Sequence, residues 1–326
     1  MHAYTLRMEY LVLVLLGIGL LTAGGEALIR GSLALAGRLG ISPLLSGLLI
    51  VGFGTSTPEL VVSLDAAINH KPDLAIGNVV GSNIANILLI LGVCAAITPL
   101  AVKPLALRRD ALVVVFASVL FLFLAGSGSL GRLEGAVYVA CLCAYLFWAY
   151  RSERVHATPG GEMLVAESQE LTRLPASMPL MMLAVLGGLG LLIGGSRALI
   201  TGAVGAAASL GVSEAVIGLT LVAVGTSLPE LTVGVMAALR RHADVAVGNI
   251  LGSNIFNLLG ILGISALVQP MAVNPRIISF DQWVMVGAAL VLVWFLHTGK
   301  RLSRTEGVLL LLGYAAYLWW GLGGGS

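Results

Sequence analysis

Charge is what this sequence has least of. Only 10% of its 326 residues are charged, against about 25% in an average soluble domain. The net charge of +2 is too small to suggest a nucleic-acid partner. Cysteine is nearly absent as well. Cys94, Cys141 and Cys143 all lie in apolar runs, which reads as packing thiols, and a metal site built on Cys141 and Cys143 would lack partners. The five histidines (His2, His70, His156, His242, His297) fall at span ends or in loops. None sits near a serine it could activate, so an enzyme is not expected. No resident cofactor is expected either. No cleavable leader is evident, because the first apolar run is long and contains Glu26.

What the chain has in abundance is apolar length. Hydrophobic residues make up 58% and the mean hydropathy is +1.00. The runs are about 18–25 residues long and do not alternate, as spanning helices require and barrel strands do not. The expectation is an all-α membrane protein embedded in a lipid bilayer. Ten transmembrane helices are read at 9–30, 43–69, 74–98, 109–126, 131–150, 176–201, 213–239, 245–268, 281–298 and 305–322. The polar stretch 151–175 would link residues 1–150 to 176–326 on the cytoplasmic side. Thirteen Lys/Arg fall in one set of loops (Arg30, Arg38, Lys103, Arg108, Arg109, Arg151, Arg154, Arg173, Arg240, Arg241, Lys300, Arg301, Arg304) and four in the other (Arg7, Lys71, Arg132, Arg276). That bias puts both termini on the non-cytoplasmic side of a cell (inner) membrane.

The chain also repeats itself. Shifted by 171 residues, Gly54–Gly92 matches Gly225–Gly263 at 22 of 39 positions without a gap. The identities are not merely apolar. Thr55, Ser56, Pro58, Glu59, Asn78, Ser82, Asn83 and Asn86 return as Thr226, Ser227, Pro229, Glu230, Asn249, Ser253, Asn254 and Asn257. Five spans per half is an odd number, so the second half must enter the membrane from the other side. The fold expected is two inverted-topology five-helix repeats, with a site near the midplane between them.

Depth and periodicity put the polar residues together. Glu59 and Asn86 each lie about 13 residues from the His70–Asp73 turn, or about 20 Å along a helix, near the centre of a roughly 30 Å hydrocarbon layer. Glu230 and Asn257 repeat this spacing about the turn near Ala243. Thr55 and Ser56 share a helix face with Glu59, and Asn78, Ser82 and Asn86 stack at intervals of four. Pro58 and Pro229 lack an N–H and free a backbone carbonyl in each half. Carboxylates, hydroxyls and carbonyls are hard oxygen ligands suited to Na⁺ or Ca²⁺. Two ionised glutamates at that depth need cations or protons, and their combined −2 balances one Ca²⁺ or two monovalent ions. A passive channel is the rival reading, but paired acids in inverted halves suit alternating access better.

With these motifs in view, "GTSxPEL" followed by "GNxxGSNIxN", twice over, resembles the sodium/calcium exchangers of the cation/Ca²⁺ antiporter superfamily. The resemblance implies a secondary antiporter exchanging Na⁺ for Ca²⁺. It implies Ca²⁺ ligation by the carboxylates of Glu59 and Glu230 and the backbone carbonyls of Thr55 and Thr226. It implies flanking Na⁺ sites drawing on Ser56, Ser82, Ser227, Ser253 and the carbonyls of Gly52 and Ala223. Family members carry Asn or Asp at the positions of Asn86 and Asn257; two asparagines here argue against K⁺ co-transport. The proton-driven branch usually has an extra Glu in the "GN" segment, and GNVVGSN and GNILGSN lack it. An H⁺/Ca²⁺ antiporter using the same two glutamates stays the alternative. The short 151–175 stretch has no room for a Ca²⁺-sensing insert, as in a prokaryotic type, and nothing indicates an obligate protein partner. Spans one and six, rich in glycine, correspond to the family's pair of helices that slide across the core. Glu26 and Arg197 are expected to snorkel to the interface, and Asp65 to be a solvated or hydrogen-bonded bystander, with an outer vestibule charge as the alternative.

Overall fold

The structure is a computed structural model that describes residues 2–101, 106–155, 177–209, 225–299 and 301–323. Among these, the chain runs as helices joined by short turns. We label them α1 (His2–Leu39), α2 (Pro43–Thr55 and Thr57–Ile68, bent by 44° at the break), α3 (Pro72–Ile97), α4 (106–125), α5 (Arg132–Val155), α6 (Met178–Ser209), α7 (Leu228–Leu239), α8 (Ala243–Val268), α9 (Ile277–Gly299) and α10 (Arg304–Gly323). Six of them, α1, α3, α5, α6, α8 and α9, are long and apolar enough to cross a membrane, and the bent α2 makes a seventh. Several outrun their expected bounds. Helix α1 continues past residue 30 through Leu39, and α5 runs on to Val155, inside the stretch read as linker. Residues 156–175 of that stretch, and 213–224 of the seventh span, lie outside the described residues.

Starts and stops follow local chemistry. Ser42 caps α2 by accepting the Leu45 N–H at 3.1 Å, and Pro43 occupies the first turn. Glu134 and Glu306 reach back to the N–H groups of Gly131 and Ser303 (2.9 and 2.7 Å), the carboxylate half of a capping box at α5 and α10. Both hairpins, α2–α3 and α7–α8, turn through a non-glycine residue with positive φ, His70 (56°) and Arg241 (61°), which stand 171 residues apart.

Helices α3 and α8 form the centre. Their apolar windows are 72% and 83% buried, against 28% for α5 and for α6. Each carries a wide π-type turn in its middle, Asn86–Leu91 and Phe256–Leu262; such turns interrupt the regular hydrogen-bond ladder. Two short antiparallel ladders tie the halves together. Leu100–Ala101 (β1) pairs with Arg301–Leu302 (β4), and Ser129–Leu130 (β2) with Met271–Ala272 (β3). Each ladder therefore takes one strand from either half, and β1 and β3 are 171 residues apart.

The ends of α4 and α9 carry a second repeated device. Tyr145 donates to Asp110 (2.9 Å) and Tyr317 to Asp281 (3.1 Å). Arg109, counted above as a loop cation, is instead buried. It forks onto Asp110 at 2.6 and 3.1 Å and reaches Ser152 at 2.6 Å.

Helices α1 and α6 pack against each other along a ladder of glycines. Gly17, Gly24 and Gly31 face Gly188, Gly195 and Gly202, each set spaced by seven. A Cβ on any of the six would come within 2.6–2.9 Å of the opposing helix. The absence of side chains lets the two backbones touch.

Candidate functional site

The breaks in α2 and before α7 aim the site. At Ser56 the backbone leaves the helix (φ −81°, ψ 8°), and at Ser227 it does so almost identically (φ −87°, ψ 9°). In each half the Pro-Glu pair then opens the next helical segment, so Glu59 and Glu230 stand in first turns. The positive end of each short helix points at a carboxylate.

The two halves cross over at this level. The Ser56 hydroxyl donates to Glu230 Oε1 at 3.0 Å, and the Ser227 hydroxyl to Glu59 Oε1 at 3.4 Å. Thr55 lies near the Glu230 carboxylate and Thr226 near that of Glu59; the two carboxylates are in electrostatic reach of each other. Both glutamates are 1% exposed. The second oxygen of each, Oε2, is buried without a hydrogen-bond partner.

Asparagines surround this pair. Asn78 and Asn249 donate to the backbone carbonyls of Glu59 and Glu230 (3.4 and 3.2 Å), fixing each acid to the neighbouring helix. Asn78 also donates to Ser63 at 2.9 Å, whereas the repeat puts Gly234 in that place. Thr55 donates to Asn249 Oδ1 (3.2 Å) or to the Gly52 carbonyl (3.3 Å). Asn86 donates to Asn254 Oδ1 at 3.2 Å. Asn86 Oδ1, Asn83 Oδ1 and both side-chain polar atoms of Asn257 are buried without partners.

Most of the expected site residues are thus brought to one level. Glu59, Glu230, Thr55, Ser56 and Ser227 meet there, with Thr226 half-buried beside them, while Asn86 and Asn257 are buried, Asn86 against Asn254. The Gly52 carbonyl accepts both the Ser253 hydroxyl (3.0 Å) and the Ser56 N–H (3.2 Å). Ser82 is buried, and its counterpart acceptor by the repeat, Ala223, lies outside the described residues. Sequence reasoning left Asn78, Asn83, Asn249 and Asn254 out of the site. The signal was present, since all four are polar identities of the 171-residue repeat.

Two charges beside the site find partners. Glu26 pairs with Arg30 on its own helix and with Arg240 at the end of α7, 2.6 Å away. Asp65 accepts from Asn69 Nδ2 at 3.1 Å, at the exposed face of α2.

Two buried carboxylates with spare oxygens, ringed by hydroxyls and neutral amides, can hold hard cations and little else. Among the described residues no group of three or more His, Cys, Asp or Glu comes together as a transition-metal site would require. A helical membrane protein with such a site between two sequence repeats is, by class, an ion transporter. The family model described as "Sodium/calcium exchanger protein" matches residues 9–151 and 180–323, and the chain belongs to that family. It is a multi-pass membrane protein of a family of cation/Ca²⁺ exchangers.

Relatives match over nearly full length. The putative antiporter CaxA of Alkalimonas amylolytica is 38% identical over 314 residues, covering 94% of this chain and 96% of its own. The sodium/calcium exchanger MaX1 of Methanosarcina acetivorans is 33% identical over 338 residues, with 94% and 97% covered. Among solved structures, the sodium-calcium exchanger NCX_Mj soaked with Na⁺ and Sr²⁺ superposes with a TM-score of 0.79 at 29% identity, covering 95% of this chain and 98% of that one.

Proposed function

We propose that this chain exchanges Na⁺ for Ca²⁺ by alternating access, with Glu59 and Glu230 as the carboxylates both ions share. The observation that carries the reading is the cross-over at the site. Each glutamate takes a hydroxyl from the opposite half and keeps one buried oxygen without a partner. An unpaired buried acid oxygen is costly, and a divalent cation bridging the two acids relieves both costs at once. Ca²⁺ would be held by these carboxylates and by the carbonyls of Thr55 and Thr226. Na⁺ ions would occupy flanking positions built from Ser56, Ser82, Ser227, Ser253 and the carbonyls of Gly52 and Ala223. Asn86 and Asn257 would supply neutral amide oxygens at the same depth. With a total of −2, the site favours either one Ca²⁺ or a set of monovalent ions, and competition between the sets couples the fluxes.

The ten-span, inverted reading gains support from the clasps. Strand β1, after α3, meets β4, before α10; β2, after α4, meets β3, before α9. With ten crossings, each ladder joins loops on one side of the membrane, and the two ladders fall on opposite sides. The first half would be residues 1–150 and the second 176–326, with 151–175 and the Arg-rich loops in the cytoplasm and both termini outside, in the cell membrane.

The test is uptake of labelled Ca²⁺ into proteoliposomes loaded in turn with Na⁺, K⁺ or acid. Uptake driven by internal Na⁺ alone is expected. Uptake driven by acid with no response to Na⁺ would replace this reading with H⁺/Ca²⁺ exchange.

A further inference from the structure

The halves depart from each other at three places that lie together, and one device accounts for all three. By the 171-residue offset, Glu26 on α1 corresponds to Arg197 on α6. Arg240, at the end of α7, corresponds to Asn69, at the end of α2, and Met236 corresponds to Asp65. Arg240 and Asn69 have the same cap geometry (φ −88°, ψ 6° and φ −84°, ψ 17°).

On the α7 side the contact is closed. A Cβ on Gly25 would meet Met236 Sδ at 2.6 Å and Thr232 Cγ2 at 3.4 Å, and the neighbouring Glu26 pairs with Arg240 at 2.6 Å. On the α2 side the corresponding surface is open. Val61, the counterpart of Thr232, is 57% exposed, and Asp65 is exposed. Arg197 is exposed too, with no ion-pair partner among the described residues. Yet Asn69 holds the Asp65 carboxylate at 3.1 Å, so an acid is presented where the repeat puts Arg240 in the other half.

We propose that Glu26–Arg240 and Arg197–Asp65 are two alternating ionic latches that position the α1–α6 body in the transport cycle. This rests on the alternating-access reading above. The glycine ladder makes α1 and α6 move together, so a displacement that opens the α7 side closes the α2 side. Arg197 then takes the place that Glu26 holds now and finds Asp65 there. The signs are reversed, with the acid on the moving body in one latch and on the core in the other, but attraction is kept in both. Exact copies would have put the same acid and base on both sides. The three substitutions reverse the signs on one side and still leave an opposite-charge pair for each end state. Each latch is partly exposed, so its worth is modest, and a modest bias suits a cycle that must not stall in either state.

The experiment reads which side is open. In a background with Cys94, Cys141 and Cys143 replaced, V61C and T232C are introduced separately, and the reconstituted exchanger is labelled with a membrane-impermeant thiol reagent from each side. E26Q and R240Q are expected to raise T232C labelling and lower V61C labelling by about 2- to 5-fold. R197Q and D65N are expected to shift the ratio the other way. The swapped pair E26R/R240E is expected to return it to the starting value, which a merely structural role for Glu26 would not do. Labelling that responds to Na⁺ and Ca²⁺ but is indifferent to the four charge variants overturns the latches and leaves alternating access standing. Labelling that does not respond to either ion overturns alternating access itself, and the latches with it.

Discussion

At Glu59 and Glu230 the halves of the molecule are near copies. Each acid follows a break at a serine, accepts from the serine of the other half, and is tied by its carbonyl to an asparagine of the next helix. Within the next two turns of the same helices the resemblance fails. Thr232 and Met236 are covered by α1, while Val61 and Asp65 face outward uncovered. A site that must accept ions from either side gains from sameness, because an ion then meets equivalent ligands from both directions. The surfaces that alternate cannot be the same in any one state. Symmetry of chemistry with asymmetry of packing is what an exchanger caught in one of its two states should display.

The symmetric region is the place to break first. Glu59→Gln and Glu230→Gln each remove one charge from the buried pair and leave the shape intact. Exchange is expected to fall by more than about 100-fold in either variant, the scale of losing one member of a buried charged set. Labelled Ca²⁺ flux in stably folded protein measures it. Flux surviving in both variants would mean that the ions bind elsewhere.

The glycine ladder comes next, and it sharpens the contrast between the mobile pair and the core. Gly24→Ala and Gly195→Ala put a methyl 2.8 Å from the opposing backbone, whereas Gly194→Ala points it into open space. The first two are expected to lower the thermal stability of the protein by about 1–3 kcal/mol, and the third not at all. Equal stability for all three would show that α1 and α6 do not depend on close contact.

Smaller effects test the cross-over itself. Ser56→Ala and Ser227→Ala each delete one hydrogen bond to a charged acceptor, worth about 1.5–3 kcal/mol where the geometry is good. The 3.0 Å bond of Ser56 is the better one, against 3.4 Å for Ser227. A larger drop in Ca²⁺ affinity is therefore expected for Ser56→Ala, by about 10-fold, with a few-fold for its counterpart. The reverse order would mean that these hydroxyls serve the ions directly more than they serve the acids.

Much of the site is legible in the sequence because polar residues in an apolar chain carry almost all the information. Eight of them recur in register over Gly54–Gly92, and helix rise alone puts Glu59, Asn86, Glu230 and Asn257 at one depth. Periodicity also puts Ser56 on the face of Glu59, but it cannot say that Ser56 serves Glu230, since that depends on how two helices approach. The same limit hides Glu26–Arg240: the partners are far apart in sequence, and each alone reads as an interfacial charge. The heptad spacing of Gly17, Gly24 and Gly31 is readable in principle. It acquires meaning only when Gly188, Gly195 and Gly202 are found opposite, in a chain where 42 glycines make many such patterns.

Asp65 tests the asymmetric region with the smallest effect and the clearest sign. A carboxylate that gathers cations at the mouth of the site would, on change to asparagine, leave the ions more dilute there. The concentration needed for half-maximal transport from that side would rise. A carboxylate that waits for Arg197 acts differently. Its loss weakens the state closed on that side, raises the fraction of molecules open to it, and lowers the same concentration. That fraction cannot exceed one, so apparent affinity improves by no more than its reciprocal, about 2-fold if the two states begin equally populated. Half-maximal Ca²⁺ measured from the α2 side in Asp65→Asn thus separates the roles by direction alone. Arg197→Gln is expected to move it the same way, because under the latch the two side chains act as one.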